Sequence, residues 1–233
     1  MNRAELLDAV SKVSSAAALG QDDADAQRNL DGKPFEIRIR FGCMNGSSSA
    51  EVDPQHFSVQ FDEEHHTLRV RAAPDVSLDD PRVAVLAGKE TEAVEGFWIW
   101  RWLLIAGCPV NPVPLVNPQS AAGPEIDTPP PTGPVIERRL GVAEFFTVAD
   151  ARTQRRDHRA YEATKTLKEG QTPSRQGYNL VLSGRLRKLP AGRVIACRMV
   201  ERNMPPFCLV SANFDRVWME VPSTKEVLAE WAD

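Results

Sequence analysis

The run Phe35-Glu36-Ile37-Arg38-Ile39-Arg40-Phe41 alternates apolar and charged residues with a period of two. Successive side chains of a strand point to opposite faces, so the run sets one face in a core and the other in water. The same period returns in Phe57, Val59 and Phe61 and, after the polar loop Asp62–His66, in Leu68 and Val70, which predicts a β-hairpin. "GVAEFFTV", "RAYEATKTL", "GYNLVLSGRLRKL", "RVIACRMV", "PPFCLVSANF", "DRVWMEV" and "KEVLAEW" follow as further short strands, with turn residues such as Pro190-Ala191-Gly192 between them. In "RAYEATKTL" the expected inward side holds Tyr161, Ala163 and Leu167, and "DVSLDDPRVAVLAG" is expected to hold a short helix or strand after Pro81.

Only the first residues depart from this pattern. Leu6, Leu7, Val10 and Val13 fall at helical spacing, and the acids Asp22, Asp23 and Asp25 then interrupt the run. Nine of the 18 prolines crowd residues 109–134, where missing backbone donors and fixed φ values keep the chain out of a sheet interior. The expected fold class is therefore all-β or β-dominated: two antiparallel sandwich- or barrel-like modules with a short N-terminal helix. The expected division is a helix and polar tail over 1–32, a β module over 33–108, a proline-rich linker over 109–134 and a second β module over 135–233.

The segment Glu95–Pro109, "EGFWIWRWLLIAGCP", tests this reading. A bilayer-crossing helix needs about 20 predominantly apolar residues, and this run is shorter and carries Arg101. Ile105-Ala106-Gly107-Cys108 has the small-residue pattern of a lipid-modified cysteine, but such a signal belongs behind a basic N-terminal region. A strand fits, with Trp98, Trp100, Trp102 and Leu104 on one face and Phe97, Ile99, Arg101 and Leu103 on the other. Burial in the core is the favoured reading; the alternative makes Trp98, Trp100 and Trp102 a ligand face for sugar or lipid.

Charge is unevenly spread over a chain whose net charge is −4. Residues 1–134 hold 11 Lys and Arg against 20 Asp and Glu, whereas residues 151–202 hold 13 against 4. The two parts can attract one another, or the basic part can meet an anionic partner. Arg155, Arg156 and Arg159 crowd a turn together with Arg152, and Arg185 and Arg187 share a strand face, which makes the first three and the last two candidate anion-binding residues. Only Tyr161 and Tyr178 lie in that segment to stack on bases, so nucleic acid is an unfavoured partner.

Cys43 and Cys108 lie in the first half and Cys197 and Cys208 in the second, which favours pairing within each half. "CRMVERNMPPFC" places the second pair on successive strands flanking a turn. Disulfides point to an oxidising compartment. Glu5, Asp8 and Lys12 interrupt any apolar export core at the first residues, so the expected location is cytoplasmic from this start, and periplasmic or exported if the start lies upstream.

"FEIRIRFGC", "FDEEHHTLRVRAAP", "EGFWI" and "LSGRLRKLPAGRVIAC" resemble segments of an uncharacterised protein family of sphingomonad-type bacteria, over most of residues 33–231. The resemblance implies a bacterial, exported protein and carries no catalytic role.

Chemical signatures are sparse. Neither the dinucleotide nor the P-loop glycine pattern occurs, nor G-x-S-x-G, nor H-E-x-x-H. His65 and His66 sit beside Asp62, Glu63 and Glu64, but adjacent strand residues diverge, so a polar hairpin tip is expected rather than a metal site. No catalytic residue, metal ligand or cofactor is assigned. Paired carboxylates are undecidable until the strands facing a cleft are known. The expected function is a non-enzymatic binding or structural protein of the bacterial envelope, with an envelope protein as partner and no transmembrane segment. The alternatives are a binder of nucleic acid or another polyanion, and a hydrolase with an unrecognised site.

Overall fold

The Phe35–Phe41 alternation becomes strand β1 (Pro34–Phe41), with Phe35, Ile37, Ile39 and Phe41 buried. The computed structural model describes residues 1–21, 24–43, 56–99, 140–147, 155–189, 192–199 and 206–232. Helix α1 (Arg3–Ala18) opens the chain and α2 (Ala24–Gln27) follows. After β1 come β2 (Phe57–Asp62), β3 (Thr67–Ala72), α3 (Pro81–Ala87) and β4 (Thr91–Ile99). The later strands are β5 (Leu140–Thr147), β6 (Tyr161–Thr166), β7 (Tyr178–Leu186), β8 (Ile195–Arg198), β9 (Phe207–Glu220) and β10 (Val227–Ala232).

The expected β-dominated class holds. The strands build a seven-stranded sheet ordered β1-β7-β9-β5-β4, with β8 and β10 also on β9, and a three-stranded sheet ordered β2-β3-β6. The expected hairpin is β2–β3, closed by an Asp62 side chain that accepts from the Glu64 and His65 N–H groups at 3.0 Å. His65 Nδ1 lies 2.8 Å from the other Asp62 oxygen, so the two histidines sit at a polar tip.

Three expectations need correction. Strands from either side of the proline-rich stretch are not sorted into two modules: β1 pairs with β7, β3 with β6, and β4 with β5. One apolar core joins Ile37, Val70, Phe97, Leu182 and Val210 from both sides. Alternation marks a strand's buried face but not its partner, and these faces close most apolar surface against one another across the chain. The larger sheet is not purely antiparallel either, since β5 runs parallel to β9 from Leu140↔Cys208 to Ala143↔Ser211. Finally, "PPFCLVSANF" and "DRVWMEV" join in one strand of 14 residues, β9. Its polar interruption is a bulge: Ser183 faces Arg216 and Gly184 faces Phe214, leaving Asp215 as the extra residue. A Cβ at Gly184 would stand 1.8 Å from the Asn213 carbonyl oxygen, so glycine is required there.

Helix α1 starts at a capping box in which Asn2 accepts from the Glu5 N–H and Glu5 accepts from the Asn2 N–H. Its Leu6, Ala9, Val10 and Val13 are buried on the main core. In the polar tail that follows it, Gln27 and Leu30 are buried. Gln27 Oε1 accepts from the Val194 and Ile195 N–H groups at 3.0 and 2.9 Å, satisfying two buried donors beside β8. On the other face of the sheet, α3 packs Val83 and Ala87 against Val94, Trp98 and Leu209.

The outer face also carries a buried carboxylate, Glu220. It accepts from Asn179 Nδ2 (2.8 Å), Trp218 Nε1 (3.2 Å), Arg38 Nε (3.1 Å) and Lys225 Nζ (3.1 Å). Burial pushes this carboxyl up, but those hydrogen bonds outweigh it and hold it down to about 2. Acidic front and basic middle meet directly in Arg155–Glu92 (3.4 Å) and Lys188–Asp31 (3.5 Å). No described helix is long and apolar enough to cross a membrane.

Candidate functional site

One edge of β9 is shared by two strands. β5 pairs along residues 208–211 and β10 along 216–220, both on the side away from β7. Between them, among the described residues, no strand pairs with the edge from Ala212 to Asp215. The Phe214 N–H in that gap donates to Glu144 Oε1 at 2.5 Å, so a side chain takes the place of a strand.

A cavity of about 280 Å³ opens at this break. Phe97 of β4, Tyr161 of β6, Phe214 of β9 and Trp231 of β10 supply aromatic walls, so both sheets contribute. Two carboxylates enter from the sheet floor. Glu95 and Glu144 are direct register partners on β4 and β5, and both line the cavity. Directly opposed like charges destabilise a strand pair, so this arrangement carries an energetic cost.

Glu95 is 6% exposed, and its two oxygens accept from the Asp157 N–H (2.8 Å) and the Arg156 N–H (3.2 Å). It thereby holds the loop before β6, where Asp157 and His158 both adopt left-handed φ values of 51° and 56°. That loop turns Arg156 into the cavity. Its guanidinium lies 4.3 Å from the Tyr161 ring centroid and 6.0 Å from that of Trp231. Its Nε is buried and has no hydrogen-bond partner among the described residues. Glu230 also lines the cavity but is matched by Arg216 at 2.6 and 2.7 Å.

The residues singled out from the sequence lie mostly elsewhere. Trp98 is buried on the opposite face of β4, under Arg82 at 4.4 Å, in agreement with the buried-strand reading. Trp100 and Trp102 lie outside the described residues. The candidate anion-binding arginines are divided. Arg155 pairs with Glu92 and covers Phe146 at 5.8 Å, and Arg156 turns into the cavity. Arg159 is exposed on the same loop and donates to the Arg156 carbonyl at 2.9 Å. Arg185 and Arg187, at the end of β7, are exposed, and Arg185 donates to the Gly32 carbonyl at 3.3 Å.

Cys197 and Cys208 are directly opposite on β8 and β9 and form a disulfide with Cα atoms 4.1 Å apart, as the sequence predicted. Cys43 is disulfide-bonded as well; Cys108, its expected partner, lies outside the described residues. No group of metal-ligating side chains occurs among the described residues.

Sequence reasoning passed over Glu95, Glu144 and Trp231. A signal was present for the two acids: each is a lone charge at an inward position of an apolar strand, in "AVEGFWI" and "GVAEFF". Such positions hold apolar side chains unless a polar partner or ligand waits inside. Comparison with known proteins finds no matching family model, no matching curated protein and no matching solved structure.

Proposed function

We propose that this chain is a non-enzymatic binding protein of the bacterial envelope and that its ligand occupies the cavity between β5 and β10. The observation that carries the reading is the combination of aromatic walls with buried Glu95 and its half-buried register partner Glu144. Ligand sites are typically concave, largely apolar and furnished with a few converging polar groups. The volume sits near the lower end of the roughly 300–1,000 Å³ range of such sites, which fits a small metabolite. The Cys197–Cys208 bond and the bonded Cys43 support an oxidising compartment. The polyanion alternative loses support because Arg155 and Arg156 are engaged in internal contacts.

Thermal-shift measurements on the full chain test this with separate sets of amino acids, sugars, nucleosides and organic amines. At least one set should raise Tm, and Trp231→Ala, at the edge of the cavity, should abolish the shift. The ligand should be recovered chemically unchanged after incubation; its conversion would make the protein an enzyme using the same glutamate pair. A flat response to every set would overturn the reading.

A further inference from the structure

We propose that the cavity ligand is a small zwitterion of the α-amino acid class, its carboxylate held by Arg156 and its ammonium by the Glu95–Glu144 side. This rests on the cavity being a ligand site. Two charges in the cavity find no opposite charge among the described residues. Among the described residues, buried Glu95 accepts from backbone N–H groups and has no cationic side chain as a partner. Arg156 has no carboxylate partner among the described residues; its contacts are the Ala160 carbonyl at 3.4 Å and the two aromatic faces. Both line one cavity, yet they do not pair with each other.

Leaving a partly desolvated charge without a close counter-charge is costly, and here two opposite ones stand in the same cavity out of contact. The arrangement becomes favourable when a ligand bridges them. A guanidinium fork suits a carboxylate, and a carboxylate pair suits an ammonium, whose added positive charge also relieves the Glu95–Glu144 repulsion. Phe97, Phe214 and Val217 leave an apolar wall for a side chain. A simple cation would leave Arg156 unmatched, and a simple anion would leave Glu95 so.

The local backbone supports a positioned rather than accidental arginine. Two consecutive non-glycine residues in the left-handed region are uncommon, and such a conformation persists where surrounding contacts hold it. Here the Glu95 carboxylate holds it, so one residue both aims Arg156 and faces the ligand's ammonium.

Isothermal titration of the full chain with natural L-amino acids, one at a time, tests the inference. The best binder is then compared with its decarboxylated amine and its deaminated acid. Each deletion should weaken binding by about tenfold or more. In Arg156→Gln the amino acid and the amine should bind alike; in Arg156→Lys the preference should be reduced but present. The unliganded Tm of each variant shows whether it folds, and the ligand series on the unaltered protein decides the matter if one does not. Equal binding of the amine, or of the acid, would overturn the zwitterion. If no amino acid binds while sugars, nucleosides or amines raise Tm, the zwitterion is wrong and the binding reading stands. If nothing binds, both fail.

Discussion

Glu144 reaches across from β5 to cap the backbone N–H of Phe214, on the stretch of β9 edge that lies between its pairings with β5 and β10. The cavity exists because of this substitution of a side chain for a strand. Were β5 and β10 to meet, the ladder would be continuous and the gap would close.

Removing that cap should be measurable. Glu144→Ala leaves a buried donor unpaired, at a cost of about 1–3 kcal/mol, whereas Glu144→Gln keeps an oxygen for it and removes the charge opposite Glu95. Urea denaturation should therefore place Gln well above Ala in stability. Equal losses for both would show that the charge, and not the cap, matters.

Glu220 should contribute to acid lability. Its folded carboxyl is held down to about 2, below the ordinary value of 4.5, so its contribution is full above about pH 4.5 and is lost as pH falls toward 2. After allowance for screening the loss is about 2–3 kcal/mol. Glu220→Gln should be less stable at pH 7 and should lose less between pH 4.5 and 2.5. A variant with the same acid profile as the parent would rule this out.

Asp75 should act in the opposite direction. Burial pushes its carboxyl up to about 7, against the Trp98 N–H at 2.7 Å and the charges of His56 and Arg82. The folded state thus holds a proton that the unfolded chain releases near 3.8, and stability from this group falls as pH rises from about 4 to 7. The fall is at most about 4 kcal/mol. Asp75→Asn keeps an acceptor and should flatten that slope, becoming the more stable form above pH 7 in denaturation curves.

The Cys197–Cys208 bond closes a short loop and should stabilise by about 2–3 kcal/mol in the chain-entropy picture. Cys208→Ser should lower Tm accordingly. Mass spectrometry without reduction should give one crosslinked peptide from this pair; two freely alkylated thiols in natively isolated protein would contradict it.

A cut placed within residues 109–134 should not release two folded halves. The β1–β7, β3–β6 and β4–β5 ladders all span it. Nicked protein should elute as a single species on size exclusion, and each half expressed alone should fail to show cooperative unfolding. Two independently folded fragments would contradict the interleaved topology.

Most of the strands, the inward faces of β1, β2, β3 and β6, the hairpin tip at Asp62–His66, the N-terminal helix and the Cys197–Cys208 pairing were legible in the sequence. Each depends on a local signal: a period of two or 3.6, or cysteines flanking a single turn. The strand partners were not legible, because alternation is satisfied by any complementary apolar face. The Asp215 bulge in β9 looked like a strand end, because its polar residue interrupts the period of two. The cavity was furthest from view. Glu95 and Glu144 become neighbours only through the β4–β5 register, Arg156 joins them only because Glu95 holds its loop, and Trp231 arrives on a strand that shares β9 with β5. The amino-acid sequence by itself determined which residues form most of the strands and, where apolar and polar residues alternate, which side faces inward. Only the tertiary structure decided which charges meet inside, since that depends on register between segments far apart in the chain and on the edge of β9 left open between two partners.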